Sequence, residues 1–285
     1  MKKGKELLTV SLILALLWGG IWFVYWQNCT VQTEEVPINS TALPAAFDGL
    51  RVAEIADLHG RELGENSRTL LRAVRLAEPD LICIDGDLFD ETPPLSMLRP
   101  LLQGLTEIAP TFYVTGNHEW QVEDLRLILS QMEAMGVHVL QNEYLVLQRG
   151  EARLVVAGVD DPCGPYDQKT PEELVSEIRA AEGAEAYILM LAHRNDTLAQ
   201  WSALGVQTVL TGHCHGGVVR LPFVGGVFGT RRELFPDYDA GLYHAGDTSL
   251  YVSRGLGYSN VRIRLFNRPH LPILILRQGD FAEKT

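Results

Sequence analysis

Leu81-Ile82-Cys83-Ile84-Asp85-Gly86-Asp87-Leu88-Phe89-Asp90 joins a short apolar run directly to a cluster of carboxylates. The run has the length and composition of a buried strand, and the acids after it are what that strand carries to its carboxyl end. The same arrangement recurs on both sides. Val52 to Ala56 leads into Asp57-Leu58-His59, Thr111 to Thr115 into Gly116-Asn117-His118-Glu119, Ala186 to Ala192 into His193, and Val206 to Thr211 into Gly212-His213-Cys214-His215. Between these runs the period changes to that of helices. Asn66 to Ala77 places Leu70, Leu71, Val74 and Ala77 on one stripe, and Val122 to Met135 does so with Leu125, Leu127, Leu129 and Met132, with Pro79 and Gly136 as stops. Alternating strands and helices predict an α/β fold built on βαβ units. Such sheets bind ligands beyond the carboxyl ends of their strands, so five polar clusters at five such ends are expected to share one pocket.

Composition narrows the function classes. The 285 residues carry 36 acidic and 24 basic side chains, a net charge of −12, which argues against nucleic acid as a partner because phosphate contacts need a basic face. With 46% hydrophobic and 21% charged residues the chain can bury a sizeable core and is no disordered polymer. Its four cysteines, at 29, 83, 163 and 214, have neither the density of a disulfide scaffold nor the spacing of a zinc finger.

Residues 7–26 contain no charge, and twenty residues in a helix span the roughly 30 Å of a bilayer core. Trp18, Trp22, Tyr25 and Trp26 lie toward the far end, where amphipathic aromatics favour the interface. Lys2, Lys3 and Lys5 precede the run, so residues 1–6 are expected in the cytoplasm and everything after Trp26 outside the cell membrane in a single-pass arrangement. A cleaved signal would export the same residues, but Gln27-Asn28-Cys29-Thr30 has no small-x-small cleavage site. Residues 27–44 are polar and without period, and read as a tether to a domain over 45–285.

Asp57, His59, Asp87, Asn117, His193, His213 and His215 form a mixed nitrogen and oxygen set suited to Mn, Fe, Zn or Co rather than to soft thiolate chemistry. Seven candidates exceed what one zinc uses, which suggests two divalent ions sharing a carboxylate. Cys214 lies between two candidate ligands, where a side chain ordinarily points away from them, and Cys83 reads as core.

These residues resemble the calcineurin-like metallophosphoesterases, whose signature D-x-H, GD-x-x-D, GNH[DE], a lone His and GH-x-H stands here as Asp57-Leu58-His59, Gly86-Asp87-Leu88-Phe89-Asp90, Gly116-Asn117-His118-Glu119, His193 and Gly212-His213-Cys214-His215. The likeness runs from about Leu50 to the end. The anchor, His215-Gly216-Gly217, Arg220-Leu221-Pro222 and residues 251–257 are similar to the bacterial membrane-anchored phosphodiesterase branch. The resemblance implies a four-layer α/β/β/α sandwich. It also implies that Asp57, His59 and His215 hold one ion, that Asn117, His193 and His213 hold the other, and that Asp87 bridges them. His118 would be the catalytic histidine, with Asp90 and Glu119 fixing the orientation of the groups that touch the metals. Three positions depart from the pattern: Ala56 replaces a small hydroxyl residue, Asp85 adds a carboxylate beside Asp87, and Arg194-Asn195-Asp196 replaces a proline-containing turn. A buried Asp85 must be paired or protonated.

The implied activity is hydrolysis of a phosphate ester or pyrophosphate, a phosphodiester first, by water activated between the two ions; the substrate would be a phosphorylated small molecule or lipid. Residues 216–246 are rich in glycine, proline and aromatics and read as loop and edge strands, or as a substrate lip near the membrane with Arg220, Arg231 and Arg232 meeting a head-group phosphate. A phosphoprotein or other monoester phosphatase is the alternative enzyme, for which Arg61 and Arg194 are the available phosphate grips. A silent metal-binding membrane scaffold is the alternative of another class.

Overall fold

The computed structural model describes residues 2–90, 95–217, 219–230, 233–258 and 263–280. The chain starts with α1 (Lys2–Cys29) and continues through β1 (Gln32–Ser40), β2 (Arg51–Ile55), α2 (Arg68–Leu76), β3 (Leu81–Asp85), α3 (Leu95–Thr106), β4 (Thr111–Val114), α4 (Leu125–Ala134) and β5 (Val137–Val139). The second half comprises β6 (Glu143–Arg149), β7 (Ala152–Gly158), α5 (Pro171–Glu182), β8 (Ile188–Leu191), α6 (Leu198–Ala203), β9 (Thr208–Thr211), β10 (Val219–Leu221), β11 (Gly225–Phe228), β12 (Gly241–Ala245), β13 (Thr248–Val252) and β14 (His270–Gln278).

The strands form two six-stranded sheets, ordered β1-β14-β2-β3-β4-β5 and β12-β13-β9-β8-β7-β6, with β10 and β11 as a separate hairpin. Within them β2 to β5 and β7, β8, β9 and β13 run parallel. β3 shows why the apolar runs are continuous rather than alternating. Its Ile82 and Ile84 pack outward with Leu70, Val74, Leu101 and Leu129 of the helices, while Leu81 and Cys83 face Leu154, Val156 and Leu189 of the second sheet. On the far side Leu174, Ile178 and Trp201 of α5 and α6 cover Val155, Ile188 and Val209. Helix, sheet, sheet and helix make the four layers expected.

Three local expectations are corrected. Residues 27–44 are not a tether. Gln32 to Ser40 pair with His270 to Gln278 along their whole length, as an edge strand whose outer side tolerates Pro37 and needs no alternation, and Ile38, Leu43 and Phe47 enter the core. The membrane-helix candidate runs over Lys5–Cys29 with its apolar window wholly exposed, and its last turn brings Gln27 and Asn28 into buried positions on the globular part. In α4 the buried residues are Leu125, Ile128, Leu129 and Met132, while Leu127, two positions along from Leu125, turns 54% exposed to solvent. The stretch expected to be helical from Asn66 begins at Arg68, because Asn66 and Ser67 adopt left-handed backbone at φ 54° and 56°.

Candidate metal centre

Three of the five polar clusters leave their strands through left-handed turns. Asp57, His59, Asp87, His213 and His215 all have left-handed backbone, with φ of 51°, 51°, 48°, 67° and 54°. Non-glycine residues in that region cost about 1–3 kcal/mol each and persist where surrounding structure holds them. Two glycines let the turns meet: a Cβ on Gly86 would stand 2.5 Å from the Gly116 nitrogen, and one on Gly116 would stand 2.3 Å from Asp87 Oδ1.

The side chains converge in two groups. In one, Asp57, His59 and His215 offer ligand atoms within 4.8 Å of one another, with His59 Nε2 and His215 Nε2 3.1 Å apart. In the other, Asp87, His193 and His213 do the same, with His193 Nε2 3.2 Å from both His213 Nδ1 and Asp87 Oδ2. Asp87 Oδ2 also lies 3.8 Å from His59 Nε2, so this carboxylate stands between the groups. Asp57 Oδ2 and Asn117 Oδ1 are buried without a hydrogen-bond partner among the described residues. Facing imidazole nitrogens and orphaned buried oxygens are what cation ligands look like before the cation is counted, and the donor set fits divalent metal.

Electrostatics agree. Burial disfavours charge on His193, yet Asp87 and Asp57 hold it protonated to about 10. Burial, then His193 and Arg194, push His213 down to about 3, and burial with His59 puts His215 well below its ordinary value. Asp87 stays far below the usual carboxylate range: burial opposes its charge, but His193, His59 and His118 outweigh it. Burial and neighbouring positive charge thus keep His213 and His215 neutral, the ligand form, while the carboxylates around His193 supply the negative potential a cation would meet and His193 would give up its proton to bind one.

His118 sits at the mouth, its side chain 36% exposed and its ring edge-on to His59 with centroids 4.7 Å apart. Its backbone nitrogen donates to Asp87 Oδ1 at 2.9 Å. Its Nδ1 meets Asp90 Oδ1 at 3.1 Å, and that bond leads in raising its pKa over the opposing effect of burial. Glu119 is fully buried and accepts from the backbone nitrogens of Asp87, Leu88 and Gly116 at 3.0, 2.7 and 2.8 Å, tying two of the site's loops together.

The proposed arginine grips fare differently. Arg61 donates to the carbonyls of Leu256 and Asn28 and stacks on Tyr258, and Arg220 is paired with Asp239 at 2.7 Å. These contacts tie both side chains into the fold. Arg231 and Arg232 lie outside the described residues. Arg194 is the guanidinium the structure brings to the cluster: Asp161 engages its Nε and Nη2 at 2.6 and 3.0 Å, and Nη1 stands 3.0 Å from His213 Nε2. A cleft of about 260 Å³ adjoins it, bordered by His193, Tyr166 and Trp201. Asp161 escaped notice in the sequence although Asp160-Asp161 follow β7 at the same short interval at which Asp57 and Asp87 follow β2 and β3. Asp85 lies beside Glu54, and the two buried carboxyls have only each other as hydrogen-bond partner among the described residues, the protonated Glu54 donating to Asp85. Burial first, then Asp85, pushes Glu54 well up; burial takes Asp85 to about 7. Cys214 is buried in the outer core, its thiol pushed by burial to about 12, so it is neither thiolate ligand nor nucleophile.

Residues 50–217 match the family model described as calcineurin-like phosphoesterase. An uncharacterised Bacillus subtilis metallophosphoesterase, YkuE, is 26% identical over 270 residues, covering 92% of this chain and 91% of its own. The Escherichia coli phosphodiesterase YaeI is 32% identical over 70% of this chain and 71% of its own. A Danio rerio transmembrane protein with a metallophosphoesterase domain is 27% identical over 94% of this chain and 63% of its own.

Proposed function

Because the chain belongs to the calcineurin-like phosphoesterase family and is a hydrolase, we propose that it cleaves a phosphodiester, lipid- or nucleotide-linked, at a centre of two divalent ions. The carrying observation is the pair of facing imidazole couples around Asp87, with Asp57 Oδ2 and Asn117 Oδ1 left over. Asp57, His59 and His215 would hold one ion, Asn117, His193 and His213 the other, and Asp87 both. When bound, such ions lower the pKa of water and neutralise charge on phosphoryl oxygens.

The chain's own residues supply the rest. Asp90 orients His118 and favours its charged form, so its Nε2, 4.0 Å from Asp87 Oδ2, can deliver a proton to the leaving oxygen, an effect worth about 10²- to 10⁴-fold. Glu119 locks the Asp87 and Gly116 loops so that ligands and acid keep their spacing. Arg194, whose Nε and Nη2 are held by Asp161 and whose Nη1 meets His213 Nε2, places positive charge beside the second group, where it would attract a phosphoryl oxygen. The net charge of −12 is no obstacle, because bound cations dominate the local field. A relative's membrane name and the apolar α1 support anchoring, with the domain opposite the Lys2, Lys3 and Lys5 end. The test is hydrolysis of bis(p-nitrophenyl) phosphate with added Mn²⁺, alongside metal analysis. Metal-loaded protein with no turnover on this diester, on an aryl monoester or on a pyrophosphate would favour the scaffold.

A further inference from the structure

The membrane helix does not hang from the catalytic domain; it is bolted to the back of the metal centre. Asn28, in the last turn of α1, donates from Nδ2 to the Arg264 carbonyl at 3.0 Å and accepts from the Arg264 nitrogen at 2.8 Å. Arg264 is 5% exposed, and its guanidinium donates to the carbonyls of Gly255 at 2.9 Å and Arg254 at 2.6 Å. Gly255 in turn packs on Asp57, where an added Cβ would meet the Asp57 Cβ at 2.7 Å. Three residues beyond Arg264, Asn267 donates to the His215 carbonyl at 2.7 Å. Three residues of chain reach about 11 Å at most, so the first ligand group lies close behind the end of the helix.

The same loop carries an apolar face. Ile263, Leu265 and Phe266 are 43%, 41% and 48% exposed, while the Arg264 and Asn267 among them are buried. Phe266 packs on Phe23 of α1, with centroids 5.7 Å apart. Phe23 is three residues before Trp26, about 4.5 Å deeper along the helix and inside the apolar stretch. Trp26 itself lies under the Arg268 guanidinium at 4.6 Å, an aromatic and a cation stacked where interfacial anchors collect. Shortly after His215 in the chain, the hairpin β10–β11 exposes Val219, Leu221, Phe223 and Val224, with Phe223 fully out. Its base is fixed to the same turn, since Arg220 donates to the Gly216 carbonyl at 2.9 Å.

We propose that the Ile263 to Phe266 loop and the tip of the β10–β11 hairpin dip into the leaflet on the domain's own side, docking the metal centre against the lipid head-group layer. The occupant is the bilayer rather than a protein, because the apolar face is continuous with a helix already apolar enough to lie in it, and Phe266 touches that helix at a depth below its interfacial tryptophan. A phosphate carried by a bilayer lipid then meets the centre without leaving the membrane. This rests on the reading of α1 as a membrane span.

The test uses the full chain, with Cys29 and Cys163 replaced by serine, in 3:1 phosphatidylcholine/phosphatidylglycerol vesicles containing shallow spin-labelled lipid. Phe266→Cys, Phe223→Cys and Glu151→Cys each receive an environment-sensitive fluorophore. Glu151 lies in the β6–β7 turn, at the opposite end of β7 from the site. Quenching at least threefold stronger at 266 and 223 than at 151 is expected. Equal, weak quenching at all three positions in a chain that resists carbonate extraction would overturn the docking while leaving the anchor standing. Release by carbonate would overturn the anchor and the docking with it.

Discussion

Asp90 and His118 form a hydrogen-bonded pair at 3.1 Å through the same carboxylate oxygen that holds His59 Nδ1 at 2.7 Å. One acid therefore steadies both a candidate ligand and the candidate proton donor. Asp90→Asn should lower kcat by about 10- to 100-fold at saturating Mn²⁺. The sign of the pH effect follows from the pair: the carboxylate raises the His118 pKa, so without it the protonated form is lost at lower pH. The basic limb of the kcat profile should move to lower pH, and a pH–rate series on both proteins measures it.

His118→Ala should retain both metals and lose about 10²- to 10⁴-fold in turnover. Asp87→Asn should instead empty both sites, because this carboxylate stands between the two histidine groups. Plasma emission analysis of the purified variants separates the roles. Empty sites in His118→Ala would move that residue among the ligands.

Glu119→Ala should leave the nitrogens of Asp87, Leu88 and Gly116 without their buried acceptor. At about 1–3 kcal/mol for a buried unsatisfied group, the loss should exceed 3 kcal/mol, with Glu119→Gln losing less. Urea unfolding at fixed metal concentration gives both values.

The Glu54 and Asp85 pair makes stability fall as pH rises. An unfolded aspartate releases its proton near 4, whereas folded Asp85 keeps it to about 7, so the folded state binds more protons across that window. Glu54→Gln/Asp85→Asn should flatten the slope between pH 4 and 7 and stabilise the protein at pH 8 by on the order of 1–3 kcal/mol. Thermal unfolding at pH 5 and pH 8 provides the comparison.

The strand-end motifs were legible because each couples a short apolar run to ligand-type residues within a few positions, as in Ile84-Asp85-Gly86-Asp87. The four layers were not legible from period alone, since both faces of β3 and β8 are buried and their runs look alike; the family resemblance provided that architecture. Contacts between remote residues left no local trace. Asn28 and Arg264 are 236 positions apart, and neither sits in a motif. Edge strand β1 hid for a different reason: exposed Thr33, Glu34 and Glu35 give it the polarity of a linker, while its pairing is made by backbone that any sequence carries. Arg61 and Arg220 were legible as charges but not as donors already committed to carbonyl and carboxylate partners.

In its sheet β1 has one neighbour, β14, which is also the last strand of the chain. The ribosome therefore delivers this stretch long before its mate. Until His270 and the residues after it emerge, a nascent chain keeps an unzipped border next to the apolar α1. A product stalled or clipped ahead of that point would carry an unpaired strand edge, a site open to mispairing and proteolysis.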